Sequence, residues 1–221
     1  MASSEKRIVH RRLSRRLSKP IQSAARKHAC QIGEITLAWN LLQDGLFVLF
    51  WAIASDQRHG ELSKAQAVWH SHRNDKAQRD LLLAVALSDS DLPKKLQMNL
   101  KWLVDRTNEL ASQRNDAIHT PVKFANFQDG LVIPIPQAFS GRKQAVQRMQ
   151  QLPLAGTWRA IRGDLLVLAD FCNAIYSQIV VSGFEGTPWP GKPKLQTVLA
   201  KQKPMRKRAK REKRTSTQVP A

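Results

Sequence analysis

The stretch Arg114-Asn115-Asp116-Ala117-Ile118-His119 places a guanidinium, an amide and an imidazole within one short segment. Imidazole gives and takes protons near neutral pH. A guanidinium can hold two phosphate oxygens while negative charge accumulates on them. Arg114 and His119 thus amount to an anion clamp beside a general acid/base. A metal site is poorly furnished by comparison. His70 and His72 are two apart, which on a helix turns them about 160° from each other, and no carboxylate or cysteine spacing completes a ligand set. No metal and no cofactor are therefore expected.

Those groups need a helix to position them. Leu96, Leu100, Leu103, Thr107 and Leu110 step by three and four residues and predict one, opened by Asp91 as N-cap ahead of Leu92-Pro93. At 100° per residue Arg114 returns to the angle of Leu96, so a cation occupies the apolar stripe just where it ends. A charge there must be paired, stacked or set at a partner surface, because an unpaired buried charge is costly. Glu109 and Asp105 are the carboxylates available for an ordinary ion pair, which would leave His119 as a plain capping residue. Asn115 and His119, four apart, share a different face. Thr120 precedes Pro121, which disfavours helical geometry at Thr120 and predicts a frayed end where His119 can turn toward Arg114. The helix C-terminus also favours the protonated imidazole.

The remaining elements are read from the same periodicity. Ile35, Trp39, Leu42, Leu46, Leu49 and Ile53 mark a central helix that becomes apolar nearly all round after Gly45. The run from Gly45 to Ala54 is too short for a membrane span, which needs about twenty apolar residues. A second helix is expected from about Ser63 to Leu87, with a charged middle whose Arg73 and Arg79 read as a solvated or RNA-facing surface. The last long helix follows Gly156-Thr157 and carries Ile161, Leu165, Leu168, Cys172, Ile175 and Ile179. Between the long helices the pattern switches to period two: Val122 and Phe124, then Leu131, Ile133 and Ile135 around Asp129-Gly130. That predicts a small hairpin at about 121–136, with Pro134 and Pro136 suited to an edge, followed by a short basic helix from about Gly141 to Leu152. Trp39, Trp51, Trp69 and Trp102 read as core. Cys30 and Cys172 lie in helical apolar patterns and read as buried free thiols.

Arg114-Asn115-x-x-x-His119 resembles the hallmark of the HEPN superfamily, an Arg followed four to six residues later by a His, very often with Asn after the Arg. The resemblance covers about residues 25–184. It implies an all-α fold, a four- to five-helix bundle with a small β-hairpin insertion here, and metal-independent RNA cleavage in which the RNA's own 2′-hydroxyl attacks. It also implies a homodimer whose two Arg/His sets face one phosphate, with Asn115 positioning the His or the phosphate. Many members of the superfamily are toxins or defence effectors, so an antitoxin is a further expected partner.

Charge supports a polyanionic partner. The 221 residues hold 36 Lys and Arg against 17 Asp and Glu, a formal net charge of +19, far beyond what solubility requires. The composition divides the chain into a basic arm at 1–20, a helical domain at 21–184 and a Pro/Gly linker with a basic tail at 185–221. Arg206, Lys207, Arg208, Lys210, Arg211, Lys213 and Arg214 of that tail are candidate nucleic-acid contacts. Both termini have little to bury and are expected to be disordered when free. RNA is thus the expected partner, with no membrane association and a cytoplasmic location, or a nuclear one in a eukaryote. Two other readings stay open: a catalytically silent HEPN-like module that binds RNA or protein, and a tail-driven protein that binds DNA or an anionic surface.

Overall fold

The computed structural model describes residues 18–55, 62–127, 131–137, 143–150, 153–182 and 188–197. Six helices and one hairpin follow in order among them. They are α1 (Lys19–Ala54), α2 (Leu62–Ser71), α3 (Asp75–Ser88), α4 (Lys94–His119), β1 (Val122–Asn126), β2 (Val132–Pro136), α5 (Lys143–Gln150) and α6 (Leu154–Ser182). The fold is all-α apart from the hairpin.

Helix α1 is the spine. Its stripe Ile35, Trp39, Leu42, Leu46 and Leu49 is buried, and its most extensive packing is against α6, which contributes Ile161, Leu165, Leu168, Cys172, Ile175 and Ile179. Among the described residues α1 alone is long and apolar enough to cross a bilayer by length and composition, a test that a soluble core helix also passes. Helices α3 and α4 pack on one another, and each also meets α1. Trp39 and Trp69 are fully inside, whereas Trp51 and Trp102 pack partly buried against the core, on Tyr176 and Phe171.

Where α1 crosses α6 the two backbones come unusually close. A Cβ added at Gly45 would lie 2.9 Å from the Cys172 Cβ and 3.4 Å from its Sγ. Replacing a helical glycine with alanine ordinarily gains about 1 kcal/mol of helix propensity, but overpacking costs about 1–3 kcal/mol. The clash should win, because the Cβ it meets sits on a helix backbone and cannot swing aside. Gly45→Ala is expected to lower stability by about 1–2 kcal/mol in urea unfolding. A midpoint equal to or above the parent's would show that α1 and α6 separate freely. Burial in this crossing pushes the Cys172 thiol up from its usual range, while Cys30, expected inside, is exposed.

The hairpin pairs Val122 with Pro136 and Asn126 with Val132 in antiparallel register. Each proline sits in a two-stranded sheet whose outer edge needs no donor, which is why Pro134 and Pro136 are tolerated. The expected turn at Asp129-Gly130 lies outside the described residues. The hairpin leans on α1, where His28 meets Phe124 edge-on with ring centroids 5.9 Å apart. Burial there lowers the His28 pKa.

Several expected boundaries move. The single helix at 63–87 is two, because Asn74 caps α3 by accepting from the Ala77 N–H at 2.8 Å, and a side chain that caps one helix ends the one before it. Asp91 does not cap α4. The cap position is Pro93, and the bend before it is braced instead by the buried Gln97 amide, donating to the Asp89 carbonyl at 2.9 Å. Helix α6 begins at Leu154, taking Gly156 and Thr157 into its first turn.

Past α6, residues 188–197 run back across the bundle as a strap. The Asn99 amide donates to the Pro190 carbonyl at 3.3 Å, and Trp189 and Leu195 pack on the core. The strap ends on Asp164, which is only 1% exposed. Its carboxylate accepts the backbone N–H groups of Gln196 and Thr197 at 2.7 and 2.6 Å, and also the Thr197 hydroxyl. A buried carboxylate needs such donors, since leaving it unmet would cost several kcal/mol, roughly.

Candidate functional site

Helix α4 carries the motif on its last turns. Leu103, Thr107, Leu110 and Ala117 are buried and step by four, three and seven, so Arg114 falls between Leu110 and Ala117 on the inward stripe. The guanidinium does not enter the core uncovered. It lies over the face of Trp39, its Cζ 5.2 Å from the ring centroid, and one N–H donates to the Asn115 Oδ1 at 2.9 Å. Its Nε is buried without a hydrogen-bond partner. Stacking on an indole is a favourable seat for a cation, worth about 0.5–2 kcal/mol.

Trp39 holds a second guanidinium as well. The Arg79 Cζ lies 5.4 Å from the same ring centroid, and its Nε donates to the Asn108 Oδ1 at 2.8 Å. The indole N–H is taken by Asp75 at 2.9 Å. Arg79 is 3% exposed, so the expectation of an RNA-facing side chain here is wrong. Burial draws its pKa below the usual arginine range, Asp75 and Asp80 oppose that shift, and the like charge of Arg114 adds to it. Arg73 is exposed, but it lies in the link between α2 and α3 and not on a helix surface.

Asn115 and His119 are both exposed and share a face, as expected. The frayed end is not found, however. Helix α4 continues through His119, and the Thr120 N–H still reaches the Asp116 carbonyl at 3.2 Å. At 100° per residue this leaves His119 about 140° around the helix from Arg114. The clamp and the proton carrier of one chain therefore point to different sides. Between them Asp116 accepts from the Nε and Nη2 of Arg148 on α5, at 2.9 and 2.6 Å, which ties the short basic helix to the motif.

The carboxylates proposed for an ordinary ion pair are engaged elsewhere. Asp105 pairs with Lys101 at 3.4 Å and Glu109 with Arg106 at 2.7 Å. Among the described residues Arg114 has no carboxylate partner within ion-pair distance. Groups of three or more His, Cys, Asp or Glu placed to hold a metal are likewise not found among those residues. The seven tail cations from Arg206 to Arg214 lie outside the described residues.

Sequence periodicity missed two features of this site. Arg79 stands three before Leu82 and seven before Ala86, the spacing of a buried stripe, and that signal could have placed it inside. The role of Trp39 as a seat for two cations had no such signal, because it depends on α3 and α4 meeting α1. Comparison of the chain with family models, curated proteins and solved structures gives no match.

Proposed function

We propose that this chain is a metal-independent endoribonuclease of HEPN type, acting as a homodimer. One observation carries the reading: Arg114 is held on Trp39 and Asn115 with no carboxylate among the described residues within ion-pair distance, although Asp105, Glu109 and Asp116 stand on the same helix and each is matched to another cation. A partly buried guanidinium with spare donors is a site for an anion, and a phosphate is the anion it fits best. The exposed imidazole of His119 supplies the proton transfers. In the reaction an imidazole takes the proton of the RNA 2′-hydroxyl, whose oxygen attacks the adjacent phosphorus. The P–O5′ bond breaks as an imidazolium gives its proton to the departing 5′-oxygen, leaving a 2′,3′-cyclic phosphate and a 5′-hydroxyl end. Arg114 holds the oxygens on which charge accumulates, and Asn115 keeps the guanidinium oriented.

The divergence of Arg114 and His119 gives the dimer its purpose, since a second copy can bring its His119 to the first chain's Arg114. Sedimentation at micromolar concentration should give about twice the chain mass of 25.0 kDa. A monomer both with and without RNA would sink the composite site. The same divergence favours a second reading, a silent module that binds RNA through Arg114 and the basic segments. Incubation with single-stranded RNA in excess EDTA separates the two: cyclic-phosphate ends are expected from the nuclease and intact RNA from the module. A toxin or defence role, with an antitoxin as partner, follows from the superfamily resemblance.

A further inference from the structure

Leu37 and Leu41 on α1 are 66% and 55% exposed, although the same helix buries Leu42, Leu46 and Leu49. At 100° per residue Arg26, Cys30, Gly33, Leu37, Leu41 and Asp44 fall within about 80° of one another. All six are exposed, and they form an outer stripe about 27 Å long on the side away from the core. Gly33 sits in the interior of the helix, where glycine is destabilising, and a Cβ added there would meet nothing within 4 Å. Contacts within the described chain therefore do not call for a glycine at this position. Arg26 and Asp44 close the stripe at its two ends, and neither has an ion-pair partner among the described residues.

We infer that this stripe is the contact for a second copy of the chain, packed antiparallel across a two-fold axis near the level of Ile35. A two-fold contact must be its own complement, and this stripe is. Arg26 and Asp44 stand nine residues to either side of Ile35, so opposite charges meet at both ends, whereas a parallel pair would set like charges together. Gly33 and Leu37 stand two residues to either side, so each leucine meets the notch left by the partner's Gly33, where the backbones can approach closely. Leu41 comes level with the partner's Cys30. An anionic membrane would gain nothing from Asp44, and an unrelated partner would not require the two halves of the stripe to match. Trp39, which seats Arg114, lies about 160° around α1 from Leu37, so this contact uses a different face from the composite site and does not rest on the nuclease reading.

The test is sedimentation of the full chain without RNA. The parent should run at about twice 25.0 kDa, and Leu37→Glu, a change at an exposed position, at the mass of one chain. Arg26→Glu and Asp44→Lys should each weaken the dimer roughly tenfold, and the two together should restore it. That charge pair keeps the test open should Leu37→Glu fail to fold. Leu41→Cys, treated with oxidised glutathione, should give a disulfide-linked dimer on a non-reducing gel through the native Cys30, and none once Cys30→Ser is added. Cys172 is buried and cannot stand in for it. A monomeric parent, a Leu37→Glu protein still at twice the chain mass, or charge reversals that fail to compensate would each overturn the inference. Binding to vesicles of anionic lipid that Leu37→Glu removes, with no change of mass, would overturn it in favour of a membrane. RNA cleavage is read separately, since it depends on Arg114 and His119. Its absence would count against the nuclease reading and leave the α1 contact standing.

Discussion

Replacing His119 with alanine should lower the rate of RNA cleavage by about 10² to 10⁴, the usual contribution of a positioned proton carrier. The side chain is exposed and makes no hydrogen bond with another described residue, so folding should change by less than about 0.5 kcal/mol. Helical content and unfolding midpoint should match the parent. Arg114→Ala is expected to cost a comparable factor, roughly 10² to 10³, through lost charge stabilisation. Arg114→Lys should recover little of it, because a point charge on a flexible stem neither stacks flat on an indole nor grips two oxygens. The assay uses a long unstructured RNA in excess EDTA, with DNA of the same sequence as a control that lacks the 2′-hydroxyl. Equal cleavage by the parent and both alanine variants would identify a contaminating nuclease and leave the chain as a binding module.

The largest effect on stability is expected at Trp39. Its ring is 3% exposed, two guanidiniums lie on it, and its N–H is bonded to Asp75. Truncating a buried tryptophan to alanine costs about 3–5 kcal/mol. Here it would also strip the apolar cover from Arg79, whose Nη1 is already buried and unmet. A domain of this size has about 5–15 kcal/mol of stability in all, so Trp39→Ala should be close to unfolding at 37 °C. Trp39→Phe keeps a ring and loses one hydrogen bond, and should cost only about 1–2 kcal/mol. Urea unfolding of both variants checks this. A loss below about 1 kcal/mol for Trp39→Ala would mean that the indole does not bind α3 and α4 to α1.

Arg114 and Trp39 also mark how far the sequence could be read. Period and composition placed the stripes of α1, α4 and α6 and the presence of the hairpin, because each depends on which face of one element is apolar. Arg114 was legible in the same way, as a cation on an apolar stripe. What covers it was not, since Trp39 stands 75 positions earlier and only the packing of α1 on α4 joins them. The break at Asn74 was hidden for a different reason. Capping depends on one side chain finding one N–H, and the charged run around it suits a helix as well as a turn. The exposed Cys30 and buried Arg79 depart from residue-type averages, and such averages decide nothing about a single position.

The clasp on Asp164 has a consequence for the cations that follow it. Thr197 is fixed to the middle of α6, and Arg214 is seventeen residues further along. Even a fully extended chain spans no more than about 3.5 Å per residue, so the nine Lys and Arg from Lys201 to Arg214 stay within about 60 Å of that carboxylate. For a strand already lodged at Arg114, a second contact by these cations is an intramolecular event. If the chain binds RNA as proposed, the anchoring of Thr197 on Asp164 sets where those cations start, and Asp164→Ala would remove that anchor without removing a single positive charge.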